Sequence, residues 1–305
     1  MFKPNLEGVK KTLRDHPFPA DIIVEVIARC NLRCIMCPQP NLRRTRGEMS
    51  PVTFKKIVDE VARESPSSRL WLALMGESLL LGRKLVEFIR LAKRQGLQQV
   101  ILNTNACLMS PELARGLLDA GVDEIIAGLD ACSGTTYEKI RVGGDFGAAV
   151  RNVEWVLEER RRRARVTPKV VAQFIVMDEN AHEVEAFKDF WLCRGAVVKI
   201  RPRLGWGAGV EAKDLQSVEV PRDFPCPWLT RTVSIHWNGR FGQCDADFEG
   251  AYSPGDIRTS SIKDLWLGEL AARRQKHWDH DFSQPLCSLC RDWMAGRSEF
   301  FTPEP

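Results

Sequence analysis

The chain has 305 residues, 44% of them apolar and 28% charged, with a formal net charge of +4. That size supports one large domain and a small one, and the near-even charge balance argues against an electrostatic nucleic-acid binder. No stretch approaches the roughly 18 apolar residues of a membrane span, and the opening "MFKPNLEGVKKTLRDHPFP" lacks an apolar signal-like core, so a cytoplasmic protein is expected.

Short apolar runs alternate with amphipathic stretches over the first two hundred residues. The runs are Asp21 to Ala28, Leu70 to Leu74, Gln99 to Thr104, Asp123 to Asp130, Lys169 to Met177 and Ala196 to Pro202. Helices are expected between them. Ser50 and Ser110 are each followed by proline, at Pro51 and Pro111, which reads as an N-cap with proline in the first helical position; Gly121 supplies a stop. Further helices are expected at Arg83 to Gln95, Phe146 to Arg163 and Ala181 to Arg194. The densest basic run, "EERRRRAR" from Glu158 to Arg165, reads as a solvated helix end. Six β-α units in a row imply a parallel sheet, two units short of a closed barrel, with its chemistry at the C-terminal strand ends. The pattern breaks after Pro202, and a boundary near residue 205 divides the chain into 1–205 and 206–305. In the second part "TVSIHWNGRFGQC" reads as a hairpin turning at Asn238-Gly239, followed by a helix from about Ser261 to His277.

The ten cysteines are unevenly placed. Reduced thiols in clusters are more often metal or cluster ligands than disulfides. Cys30, Cys34 and Cys37 fall within eight positions just after the first strand. Three thiolates leave zinc short of its usual four ligands, whereas a four-iron cube would keep one iron open. Cys226, Cys244, Cys287 and Cys290 form a second set, which by spacing alone could hold either zinc or an iron-sulfur cluster. Cys107, Cys132 and Cys193 stand alone.

"CNLRCIMC" resembles the signature of the radical S-adenosylmethionine enzymes. The resemblance implies a [4Fe-4S] cluster on Cys30, Cys34 and Cys37 whose open iron takes S-adenosylmethionine, and cleavage of that molecule to a 5′-deoxyadenosyl radical. "MGES" stands where the family has a Gly-Gly-Glu segment, which implies that Glu77 meets the cofactor's ammonium and that Gly76 allows close backbone approach. "TNACLM" and "GLDACSGTTYEKIR" are similar to the third- and fourth-strand segments, and carry cofactor contact over to Asp130 and Arg141. The second cysteine set, with Gly239 before Cys244, resembles the SPASM extension in its short "twitch" form, implying a second, fully ligated [4Fe-4S] cluster.

The fold so implied is a partial (β/α)6 TIM-like barrel followed by a small cysteine-rich SPASM/twitch domain. Short-form relatives include dehydrogenases of aminocyclitol or amino-sugar alcohols in antibiotic pathways, so oxidation of a carbinol to a ketone is expected, with the second cluster accepting an electron. A one-electron donor such as flavodoxin or ferredoxin is implied as partner. Lys199, Arg201 and Arg203 on the sixth strand and its loop, and Asp245 beside Cys244, are candidates for the base. Radical epimerases and a nucleoside decarboxylase lie in the same neighbourhood. An epimerase needs a hydrogen donor, for which Cys107 and Cys132 are the candidate thiols. Only some twenty residues precede the first strand, which favours a small-molecule substrate over a peptide.

Overall fold

A computed structural model describes residues 5–216, 219–295 and 298–303. Six parallel strands pair in chain order: β1 (Asp21–Val24), β2 (Arg69–Leu72), β3 (Gln99–Thr104), β4 (Glu124–Gly128), β5 (Lys169–Val176) and β6 (Val197–Pro202). The register sets Ile22 beside Leu70 and Leu70 beside Val100, and likewise Leu102 beside Ile125. These residues form one buried row. Together with Phe54, Phe88, Leu117, Val153 and Phe187 from the intervening helices they make the main core on the convex face. The alternate residues (Asp21, Ile23, Arg69, Trp71, Asn103, Gln173, Lys199, Arg201) line a single cavity on the concave face. A period-2 strand thus sends apolar groups to the helices and polar groups to the lumen.

The expected helix starts are in place. Ser50 Oγ accepts from Thr53 N at 3.0 Å, and Ser110 Oγ from Leu113 N at 3.3 Å, each ahead of a proline in the first turn. Two expected elements differ. The first strand stops at Val24 rather than Ala28 because the chain leaves β2 to bond with the segment after the cysteines: Met49 N donates to Val26 O and Ala28 N to Gly47 O. The helix expected over 261–277 is two, Ile262–Leu267 and Glu269–Trp278, broken at Gly268.

The hairpin forms as read, with β7 (Thr232–Ile235) antiparallel to β8 (Phe241–Gly242) and His236 N bonded to Arg240 O across Asn238-Gly239. Its place was not legible in the sequence. β7 pairs in parallel with β1, and β9 (Glu299–Phe301) pairs antiparallel with β6, so segments beyond residue 205 cover both edges of the barrel sheet. Ile257, Ile262, Leu265, Trp266 and Leu270 join the main core. Among the described residues no helix is long and apolar enough to cross a membrane.

Candidate active site

Beyond the end of β1 the chain swings across the top of the sheet and carries Cys30, Cys34 and Cys37. This loop is tied to the turn after the fourth strand, with Arg33 N donating to Val142 O and Ile35 N to Ile140 O. On its other side Glu77 N donates to Arg29 O at 2.9 Å. The contact at Gly76 is so close that a Cβ there would lie 2.0 Å from Ile27 O, which only glycine permits. The three thiols face one cavity of about 180 Å³, together with Gly76, Glu77, Arg141, Asn103 and Gln173.

Glu77 is buried, which pushes its carboxyl upward, against the bonds it accepts from Asn105 N, Leu79 N and Thr104 Oγ1. A cation entering this cavity would relieve that burial cost. Arg141 also lines the cavity, with Nη1 3.8 Å from Cys34 Sγ. Although burial opposes its charge, Asp130 keeps it protonated, accepting from Nε at 2.8 Å. Asp130 itself does not line the cavity. It sits in the left-handed region at φ 59°, accepts from Ile175 N at 2.7 Å and positions Arg141. Gly128 leaves room for that arginine: a Cβ there would be 2.3 Å from Nη2.

Two polar groups at the site went unread in the sequence, Asn103 and Gln173. Their side-chain oxygens are buried with no hydrogen-bond partner, and both residues line this cavity as well as the larger one below. A lone glutamine at an inward position of the apolar run "KVVAQFIVM" was the available signal.

The second cysteine set is gathered from three segments. Cys226 caps the helix Pro227–Arg231, Cys244 follows β8, and Cys287 and Cys290 lie in and just after the helix Pro285–Leu289. Burial raises each thiol, and the charge of Cys244 is felt against those of Cys226, Cys290 and Cys287. Gln243 Nε2 donates to Cys287 Sγ at 3.2 Å. Asp292 ties this region to the loop after β6, accepting from Gly205 N at 2.7 Å. Among the described residues no three Cys, His, Asp or Glu side chains close on a point as ligands of a single ion do. Three thiols around one cavity, and a second set of four raised by burial, instead suit clusters larger than one ion.

Arg201 and Asp245 both line the larger cavity, of about 1260 Å³, and each feels the other's charge. Burial and the neighbouring Asp292 push Asp245 up to about 7, against Arg201. Arg201, Asn103, Gln173, Ala73, Leu204 and Trp206 belong to both cavities, so the two open into each other. Cys107 and Cys132 line neither. The backbone turns at Ala106, φ 61°, and sends the Cys107 thiol to Tyr137 Oη at 3.2 Å. Cys132 packs against the main core, its N–H held by Glu183 at 2.5 Å.

A family model of the radical SAM superfamily matches residues 24–190, more than half the chain. The chain belongs to the radical SAM superfamily. A second model, the SPASM iron-sulfur cluster-binding domain, matches residues 226–292. Membership implies a [4Fe-4S] cluster and S-adenosylmethionine, and the SPASM domain adds further iron-sulfur binding. A probable GTP 3′,8-cyclase of Methanococcus maripaludis is 26% identical over 181 residues, 58% of this chain and 56% of that one. The chain thus spans just over half the length of these cyclases. PqqA peptide cyclase of Rhodopseudomonas palustris is 26% identical over 307 residues, covering 89% of this chain and 79% of the cyclase. Among solved structures, BtrN in complex with AdoMet and 2-DOIA superposes with a TM-score of 0.63 at 18% identity, covering 91% of this chain and 94% of BtrN. At that identity the likeness speaks for the fold.

Proposed function

We propose that this radical SAM protein oxidises the carbinol carbon of an amino-sugar or aminocyclitol-type small molecule to a ketone. When bound, the first cluster with S-adenosylmethionine supplies a radical that removes hydrogen from carbon, and a second cluster supplies an electron acceptor. The observation that carries the reading is the joining of two cavities at Arg201, with Asp245 on the wall of the larger one directly after the ligand candidate Cys244. Glu77, Arg141, Asn103 and Gln173 would hold the cofactor against Cys30, Cys34 and Cys37. Asp245 would take the hydroxyl proton while Arg201 orients the oxygen, so that proton and electron leave on the same side. The neighbour solved with AdoMet and 2-DOIA supports a small polar ligand in this fold.

Epimerisation with a thiol donor is disfavoured, because Cys107 and Cys132 face away from the lumen. A test run in deuterated water separates the two. Oxidation should yield 5′-deoxyadenosine and a ketone with no solvent deuterium on the reacting carbon. A product with deuterium at that carbon and no ketone would overturn the reading.

A further inference from the structure

Acidic side chains, Asp178 and Glu299 among them, line the lumen as well as basic ones, but among the described residues none forms an ion pair with Lys199. Asp21 neutralises one charge at its lower end, accepting from Arg69 Nη2 at 2.8 Å and from Arg231 Nε at 2.7 Å. Asp245 answers Arg201 near the upper end. Lys199 lies between them on the same face of β6 as Arg201. The ring of Phe300 lies 5.8 Å from its ammonium. The charges facing it are Arg201 on its own strand, Arg69 on β2 and Lys169 on β5, opposed by Glu124 on β4. Glu124 is in turn shared with Lys169 at 3.9 Å. Burial first, and then Arg201, lower the Lys199 ammonium to about 7. A half-buried cation beside a second cation on its own strand is unfavourable unless a counter-charge arrives.

We infer that the substrate carries an anionic group, a phosphoryl or a carboxylate, which seats in the lumen between Lys199 and Arg201. The two side chains are two residues apart on one strand, roughly 7 Å, a span that one tetrahedral or planar anion can bridge. Arg201 also borders the upper cavity, so an anion held there leaves the remaining carbon skeleton at the junction where the two cavities meet. Trp71, Trp228 and Phe301 along the same wall offer apolar surface to the skeleton. This inference rests on the reading of the lumen as the substrate site.

Calorimetric titration of the anaerobically reconstituted protein with S-adenosylmethionine bound tests it without turnover. The probes are glucosamine, glucosamine 6-phosphate, glucuronate and inorganic phosphate. Glucosamine 6-phosphate or glucuronate should bind at least about tenfold more tightly than glucosamine, and whichever of the two wins identifies the anion. Lys199→Met should abolish most of that preference without lowering the melting temperature, and Arg201→Gln, titrated in parallel, should do likewise should the first variant fail to fold. Equal binding of glucosamine and its phosphate would overturn the inference. So would the absence of binding by every anionic probe at millimolar concentration, or a preference that survives in the folded variants. Anion binding that persists while no ketone forms would defeat the oxidation reading and leave this one standing.

Discussion

Lys199 shows how one side chain can set a property of the whole site. Its ammonium ordinarily titrates near 10.5, and in the lumen near 7, because burial and the neighbouring Arg201 both oppose its charge. Between those values the unfolded chain holds a proton that the folded chain does not, so this residue makes stability rise with pH across the window from about 7 to 10.5. Below about 7 both states are protonated and the full burial penalty is present. Lys199→Met should therefore stabilise the ligand-free protein most in mildly acid solution. The gain should shrink as pH climbs towards 10.5. Denaturant midpoints of both proteins over a pH series measure this, and a constant difference would show that the ammonium is not strained. Asp130 acts at the same scale by other means. One carboxylate both fixes Arg141 beside Cys34 and accepts from Ile175 N on the fifth strand.

At the scale of elements, the upper cavity is a meeting of three loops that follow β1, β2 and β4. The cysteine loop is held on one flank by Val142 and Ile140 and on the other by the turn carrying Gly76 and Glu77. The second flank tolerates no side chain, since a Cβ on Gly76 would meet the carbonyl of Ile27 at 2.0 Å and that of Arg29 at 3.0 Å. Both obstacles are backbone, so neither can swing aside as a side-chain tip would. Gly76→Ala should push the two loops apart at a cost of about 3 kcal/mol. Its sharper consequence is geometric: Glu77 would be displaced from the thiols. The variant is expected to keep its strands, by circular dichroism, and to lose at least about tenfold in S-adenosylmethionine affinity. Unchanged affinity would mean that Glu77 does not depend on this contact. The helix caps at Ser50 and Ser110 work differently, each stabilising its own helix by about 1 kcal/mol without touching the site.

For the whole molecule, the portion beyond residue 205 is more than an appendage that brings four cysteines. It supplies β7 against β1 and β9 against β6, and so covers both edges of the parallel sheet. Trp266, Ile262 and Leu270 also complete the core against the barrel helices. An uncovered edge presents unpaired backbone groups and invites association with other chains. A chain cut after residue 205 should accordingly aggregate, or elute as large assemblies on size exclusion, instead of folding as a free barrel. A monomeric truncated chain that still reconstitutes one [4Fe-4S] cluster would overturn this expectation and make the edge strands dispensable.

Much of this was written locally. Six apolar runs, two serine-proline helix starts, the Asn238-Gly239 turn and the spacing of Cys30, Cys34 and Cys37 each depend on neighbours in the chain, and each is found in place, the first strand alone ending four residues early. Alternation in "VVKIRP" even places Lys199 and Arg201 on one face. Tertiary structure decided what those faces meet. Cys107 and Cys132 follow strands as a donor thiol should, yet the backbone turn at Ala106 and the bond from Cys132 N to Glu183 direct them to the helix side. Asp245 shares a cavity with Arg201 only because the chain returns to the lumen after β8. Likewise no local pattern says that a hairpin will pair with β1 or a three-residue strand with β6. Short-range preferences select helix, strand and turn through φ and ψ, whereas the partner of a sheet edge or of a buried charge is chosen by whichever distant segment lowers the cost of leaving it exposed or unpaired.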